Sequence, residues 1–162
     1  MAPRQLPVDF KDFIKFLNEH KVRYLLIGGW AVGIYGNPRA TKDIDFLIAI
    51  DDENIERLQK ALYKFGAPTV EKKVFQEKGN VFRMGRSPVQ IDIINEASGI
   101  RFEDCYKRRK IIKIENLGIS MISKEDLIKN KKASGRYQDL ADVEDFEQEK
   151  GKKDKRGRRS IP

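Results

Sequence analysis

The chain contains one cysteine, one histidine and no long apolar run among its 162 residues. With Cys105 alone, no disulfide can form within the chain. No apolar stretch reaches the roughly 18 residues that a membrane-spanning helix needs. The opening sequence MAPRQLPVDF lacks the apolar core of a secretion signal. The sequence therefore predicts a cytoplasmic protein with no membrane association, in which His20, at the end of a predicted helix, is not expected to act as a catalytic base.

Charge, in contrast, is abundant. Charged residues make up 36% of the chain, hydrophobic residues make up 40%, and the net charge is +8. This composition is typical of one soluble domain with a real core and a highly charged surface. Residues 147–162 hold seven Lys or Arg and three Asp or Glu, which is half of the net charge. We therefore predict one domain over 1–146 and a basic, disordered tail over 147–162 that could hold phosphates.

Helix and strand patterns alternate early in the chain, and strands cluster in its middle. Apolar spacing and capping residues predict helices over 9–19, 30–35, 137–146, from Asp51 to Phe65, and from Ser123 onward. Short apolar runs predict strands over 24–27, 44–50, 70–75, 81–84 and 89–94, and two more at a sheet edge over 110–114 and 119–121. This order predicts an α+β fold, an α/β sandwich built around a small mixed β-sheet with flanking helices.

Acidic residues occur inside two of the predicted strands. Asp43 and Asp45 lead into the apolar run Phe46-Leu47-Ile48, and side chains two residues apart in a strand point to the same face. Asp92 lies alone among apolar residues in the run VQIDII. If these two strands are neighbours, the three carboxylates meet. The plainer interpretations are a polar strand start for the pair and a solvent-facing position for Asp92.

Three clustered carboxylates repel one another and are costly to bury unless a cation neutralises them. Mg²⁺ prefers carboxylate and phosphate oxygens, and two cations about 3.5–4 Å apart support phosphoryl transfer. The pattern thus predicts a Mg²⁺ (or Mn²⁺) site on Asp43, Asp45 and Asp92. Gly28 and Gly29, between a predicted strand and a predicted helix, would let the backbone approach phosphates closely, although glycine pairs also mark ordinary turns.

The stretch YLLIGGWAVGIYGNPRATKDIDFLI resembles the signature of polymerase β-type nucleotidyltransferases. These proteins join a Gly-Gly or Gly-Ser turn to a later Asp-x-Asp, with a third acidic residue on a following strand. Here thirteen residues separate Gly29 from Asp43. The string Arg39-x-Thr41-x-Asp43-Ile44-Asp45 is most similar to the AbiEii toxin-like branch. DLIKNKKASGRYQDLADVEDF resembles that branch's later motif, in which a Lys precedes Ala-x-Gly-Arg and Asp-Leu-x-Asp follows. The resemblance covers roughly 23–146.

The resemblance also implies individual roles. It places the motif lysine at Lys131, which could bind the triphosphate or the acceptor, and the motif acids at Asp139 and Asp142, which could orient this lysine or cap a helix. Metal binding is implied for the three aspartates, and a catalytic role is implied for the aspartates and for Lys131. Nucleotide contacts are implied for four further residues: Gly28, Gly29, Arg39 and Thr41. Gly29 stands where relatives often carry a serine, and Gly-Gly-Trp-Ala-Val is also similar to antibiotic nucleotidyltransferases.

The implied function is a Mg²⁺-dependent nucleotidyltransferase. It would transfer a nucleoside monophosphate from an NTP such as ATP to an acceptor hydroxyl and release pyrophosphate. The acceptor could be RNA such as tRNA, as in the toxin-like branch, a protein side chain, or an aminoglycoside or lincosamide antibiotic. A cognate toxin or antitoxin partner is also expected. The alternative from another functional class is a non-catalytic nucleotide-binding or antitoxin-like module.

Overall fold

A computed structural model describes residues 5–36 and 43–159, with side chains described as far as Glu149. The helices are α1 (Val8–Glu19), α2 (Gly28–Ile34), α3 (Asp52–Phe65), α4 (Lys72–Gln76), α5 (Phe102–Lys107), α6 (Lys124–Ser134) and α7 (Tyr137–Arg159). The strands are β1 (Tyr24–Ile27), β2 (Asp43–Ile48), β3 (Val81–Arg86), β4 (Val89–Ile94), β5 (Lys110–Ile114) and β6 (Leu117–Met121). Within these described stretches, no helix combines the length and the apolarity needed to cross a membrane.

The strands form one open, mixed sheet in the order β3-β4-β2-β1-β6-β5. β2 pairs in parallel with β4, and β1 pairs in parallel with β6. The other three pairings are antiparallel. The predicted α+β class, with a small mixed sheet and flanking helices, is confirmed. Of the two strands predicted at a sheet edge, β5 lies there, whereas β6 lies inside the sheet between β1 and β5.

Helices α1 and α3 cover one face of this sheet. All four residues of β1 are buried, which requires that both faces of the central sheet be covered. On one face Phe13 of α1 packs edge-on against Phe46 of β2, with ring centroids 5.5 Å apart, and against Phe65 of α3 at 5.2 Å. Because side chains alternate along β2, its residue Asp45 points to the opposite face.

Helix starts and ends follow local chemistry. The carboxylate of Asp51 accepts a hydrogen bond from the Asn54 backbone N–H at the start of α3, and the Ser123 hydroxyl accepts one from the Asp126 N–H at the start of α6. Both predicted N-terminal caps are thereby confirmed. Gly135 ends α6 with φ +68, a left-handed conformation that glycine adopts without steric cost. The chain therefore turns sharply, and α7 packs back against α6.

One predicted element is wrong and one helix was missed. The strand predicted over 70–75 is wrong, because this segment forms α4 and buries Phe75. As a strand it would place apolar side chains on both faces, whereas Val74 and Phe75 are neighbours in the single helical turn of α4. Helix α5 was not predicted, although Phe102, Cys105 and Tyr106 have helical spacing.

Helix α7 was predicted over 137–146 and is longer. It extends across the predicted domain boundary to Arg159. The assignment of 147–162 as a separate disordered tail stays a prediction.

Candidate active site

The strand register brings the three predicted aspartates together. β2 and β4 are parallel neighbours, and their register places Asp45 beside Asp92 and Asp43 beside Gln90. Side chains two residues apart, or directly paired across parallel strands, project from the same face of a sheet. The three carboxylates therefore share the face opposite α1 and α3. We refer to Asp43, Asp45 and Asp92 as the aspartate cluster.

Asp45 occupies a crowded, water-poor position in this cluster. Burial raises the pKa of its carboxyl group, and the negative charges of Asp92 and Asp43 raise it further, to about 6. The positive charges of Lys131 and Arg136 act in the opposite direction but do not cancel the rise. The cluster therefore holds negative charges at a separation that water does not fully screen, which a bound cation would relieve.

Gly28 makes room for the Asp45 carboxylate. It lies where β1 passes into α2, with φ +72, and a Cβ atom built there would lie only 2.3 Å from Oδ2 of Asp45. A contact this short is not tolerated, so any other residue would displace the carboxylate. The first glycine of the predicted pair is thus required by the site itself, because it sets the position of Asp45. Gly29 follows it and is buried at the start of α2.

Asp92 is held by two residues that the sequence predictions missed. Arg83 donates from Nε to Oδ1 at 2.9 Å and from a terminal guanidinium nitrogen to Oδ2 at 3.3 Å. The Gln90 amide nitrogen lies 3.2 Å and 3.3 Å from the same two oxygens. Arg83 reaches Asp92 because the β3–β4 register pairs them directly. A hairpin with its turn at 87–88 gives this pairing, so placing that turn correctly would have found Arg83.

Lys131, the lysine of the motif resemblance, lies in the wall of the site, and its contact with a nucleotide or an acceptor stays a prediction. Its ammonium group is 2.7 Å from Asp139 and 3.0 Å from Asp142, and all three side chains are buried. Burial by itself would raise the pKa of Asp139, but hydrogen bonds from Lys131, Ser134 and Arg136 outweigh it and lower the pKa to about 2. The two acids of the motif therefore orient the lysine, which was one of the two roles expected for them.

These groups line a cavity of about 750 Å³, large enough for a nucleotide. Its walls include Gly28, the aspartate cluster, Arg83, Lys131 and Arg136. Carboxylates thus face guanidinium and ammonium groups across one open space. A second cavity, of about 560 Å³, lies beside α3 and contains none of the predicted site residues.

Four other residues bear on the site less directly. Arg39 and Thr41 lie outside the described residues, so their predicted nucleotide contacts stay predictions. Trp30 packs in the core, edge-on against Phe10 with ring centroids 5.8 Å apart. Cys105 is buried, and burial together with nearby Asp126 raises the pKa of its thiol to about 11, so it is not a nucleophile at neutral pH.

The side chains of the site fit a hard divalent cation by their chemistry. The cluster offers only carboxylate oxygens, which Mg²⁺ and Mn²⁺ prefer, and the raised pKa of Asp45 reflects charge that a cation would neutralise. As the side chains stand, however, no group of three or more His, Cys, Asp or Glu residues within 5–36 and 43–159 is arranged to hold a metal ion. In this arrangement the oxygens of Asp92 are engaged by Arg83 and Gln90.

Comparisons with known proteins identify a family and a shared fold. Residues 8–148 match the family described as nucleotidyltransferase of unknown function (DUF6036). A candidate nucleotidyltransferase from Thermotoga maritima has a similar solved structure, with a TM-score of 0.54, 18% identity, and coverage of 90% of this chain and 91% of that one. An antigenic nucleotidyltransferase-like protein from Paracoccidioides brasiliensis gives a TM-score of 0.50, 17% identity, and coverage of 88% and 76%. These identities establish a shared fold only. No curated protein matches the chain.

Proposed function

Because the chain belongs to the DUF6036 family of nucleotidyltransferases, we propose that it transfers a nucleoside monophosphate from an NTP to an acceptor hydroxyl. The observation that supports this proposal is the aspartate cluster, which faces Lys131 and Arg136 across one nucleotide-sized cavity. Such a site can position a triphosphate and neutralise its charge, which is most of what a protein contributes to phosphoryl transfer.

We assign a metal-holding role to Asp43, Asp45 and Asp92. Mg²⁺ or Mn²⁺ bound by their oxygens would supply neutralisation of the triphosphate and of the leaving pyrophosphate. The Asp45 carboxylate occupies the space that a side chain at position 28 would take, so Gly28 leaves room for this ligand. Its raised pKa adds a pH limit, because Asp45 must lose its proton before it can bind a cation.

The remaining groups act on the nucleotide and the acceptor. The acceptor oxygen attacks the α-phosphorus, the bond to the bridging oxygen breaks, and pyrophosphate leaves. The acceptor proton passes to a carboxylate of the cluster, for which Asp92 is our candidate. Lys131, held rigid by Asp139 and Asp142, would face the charge that builds on the transferring phosphate. Gly28 and Gly29 would allow close backbone approach to the phosphates, with Arg39 and Thr41 as further phosphate contacts.

RNA is the acceptor that we favour, with tRNA as the first candidate. Lys131, Arg136 and Asp139, from the segment that resembles the later motif of the AbiEii toxin-like branch, line the cavity. The net charge of +8 and the basic segment 147–162 would attract RNA phosphates. We therefore propose a member of a toxin-antitoxin system, with a cognate partner protein and activity in the cytoplasm.

A non-catalytic nucleotide-binding module is the second candidate. The ion pairs that Arg83 and Lys131 form with acidic side chains favour it. Asp92 is paired with Arg83, and Lys131 is paired with two acids, so these charged groups have protein partners without a metal ion. A protein that senses nucleotides, or binds a toxin partner, could retain such a site without turnover.

Labelled NTPs separate the two candidates. We expect wild-type protein incubated with Mg²⁺, each α-labelled NTP and total tRNA to place label on RNA. Asp45→Asn should abolish the transfer, because it removes a metal ligand and a charge. Asp12→Asn is the matched control, since Asp12 is an exposed carboxylate on α1, and should transfer normally. Tight Mg²⁺–NTP binding by wild type with no label on RNA, on protein or on a small acceptor would refute the enzyme and support the binding module.

A further inference from the structure

Arg83 lies on the edge strand of the sheet and turns inward to the aspartate cluster. β3 pairs only with β4 in the described sheet, and Arg83 is the direct register partner of Asp92. The Arg83 side chain is 59% exposed, whereas that of Asp92 is 8% exposed. A solvent-exposed guanidinium group thus binds a buried carboxylate.

The contact occupies both oxygens of Asp92. The guanidinium group makes a bidentate contact with them, and the Gln90 amide nitrogen lies within hydrogen-bond distance of the same two atoms. Arg83 also interacts electrostatically with the whole cluster. The pKa of Arg83 is raised by its hydrogen bond to Asp92 and by the negative charges of Asp92, Asp43 and Asp45. Its positive charge therefore partly neutralises the cluster in the place where a divalent cation would do so.

Such an arrangement is easily reversed. An ion pair with a partner as exposed as Arg83 contributes little to stability, because water competes for the charge and the long side chain loses freedom. Arg83 also lines the cavity, so a triphosphate bound there lies within its reach. Phosphate groups match the planar guanidinium as well as a carboxylate does.

We propose that Arg83 is a positioning residue that binds Asp92 when the cation site is empty and transfers to the triphosphate when a divalent cation and NTP bind together. This inference rests on the proposed function, because it needs both ligands in this cavity. Arg83 and the cation compete for Asp92 when no nucleotide is present. The nucleotide gives Arg83 a new partner, so each ligand strengthens the binding of the other.

Metal and nucleotide affinities measured separately test this inference. Mn²⁺ binding can be measured by electron paramagnetic resonance, because the signal of the free ion decreases when the ion binds. The titration is made with and without a non-hydrolysable ATP analogue. We expect Arg83→Gln to bind Mn²⁺ alone more tightly than wild type, by roughly five-fold or more, and to bind the analogue with Mn²⁺ more weakly by a similar factor. Both affinities of Arg83→Lys should lie between those of wild type and Arg83→Gln, because lysine keeps the charge but not the bidentate contact.

Arg86→Gln is the matched control, because Arg86 lies on the same strand, is exposed, and is not among the residues lining the cavity. Opposite changes in the two affinities cannot arise from partial unfolding, which would weaken both. If Arg83→Gln leaves Mn²⁺ affinity unchanged or weakens it, while Asp45→Asn abolishes Mn²⁺ binding, the inference fails and the metal site stands. If wild type binds no Mn²⁺ with or without the analogue, the inference about Arg83 and the assigned metal site both fail. If Arg83→Gln changes the two affinities as expected but wild type transfers no nucleotide, the proposed role of Arg83 is supported and the proposed enzymatic activity is refuted.

Discussion

Replacing Asp45 with asparagine should stabilise the cation-free protein at neutral pH. The pKa of Asp45 is about 6 in the folded protein, against an ordinary value of 3.8. A shift of about two units, at about 1.4 kcal/mol per unit, corresponds to roughly 3 kcal/mol. We treat this as an upper limit, because folded proteins relax around a buried charge, and expect a gain of about 1–3 kcal/mol in the free energy of unfolding. Asparagine matches the shape of aspartate, so the contact with Gly28 is preserved.

The size of this stabilisation depends on pH. Because the pKa is higher in the folded state than in the unfolded state, the folded protein binds the proton more tightly between about pH 4 and pH 6. Wild-type stability is therefore highest below about pH 4 with respect to this group, and it falls as pH rises through about 6. Asparagine has no proton to lose. The gain from Asp45→Asn should thus be near zero at about pH 4 and complete at about pH 7.5.

Urea unfolding in the presence of a chelator at these two pH values measures the difference. For a chain of this size, the gain corresponds to an increase in melting temperature of about 2–4 °C per kcal/mol. Asp12→Asn is again the control and should change stability little at either pH. Saturating Mg²⁺ should reduce the advantage of the variant, because only wild type retains the full metal site. The reasoning is refuted if Asp45→Asn gives no gain at neutral pH, or an equal gain at acid pH.

Two further substitutions test the geometry around the cluster. Gly28→Ala should cost about 1–3 kcal/mol of stability and abolish Mn²⁺ binding, since it combines backbone strain with displacement of Asp45. Gly66→Ala has similar strain but no atom within 4 Å of the new Cβ, so it should leave Mn²⁺ binding intact; equal loss in both would contradict the assigned contact. Lys131→Met should cost about 3–5 kcal/mol in urea unfolding, because two buried acids lose their cation. Lys132→Met removes an exposed pair with Glu147 and should cost under about 1 kcal/mol, and an equal cost for both lysines would mean that the buried network carries no stability.

Local patterns were sufficient to identify most of the fold. Strands over 24–27 and 89–94 were predicted with the bounds that the structure has, because apolar runs between turn residues define them without reference to distant partners. The caps at Asp51 and Ser123 involve atoms three residues away, so they too are local. The failure at α4 has the same origin: the three apolar residues within 70–75 are too few to separate strand from helix periodicity, and the packing of Phe75 against Phe82 of β3 favours the helix.

For the site, the sequence alone placed Asp43 and Asp45 on one face, because two residues is the period of a strand. It did not determine that Asp92 would lie beside them. That depends on β2 and β4 becoming parallel neighbours across 47 positions of sequence, which the motif resemblance suggested and the strand register provides. The roles of Asp43, Asp45 and Asp92 as metal ligands stay predictions.

The partners of the charged residues were decided by tertiary structure. A turn placed at 85–88 would set Arg83 opposite Gln90, whereas the observed turn at 87–88 sets it opposite Asp92. Lys131 is likewise a buried, doubly paired cation only because Gly135 folds α7 back onto α6. Sequence determines which charges are present, but register and helix packing determine which of them meet, because a shift of one or two residues changes every cross-strand partner.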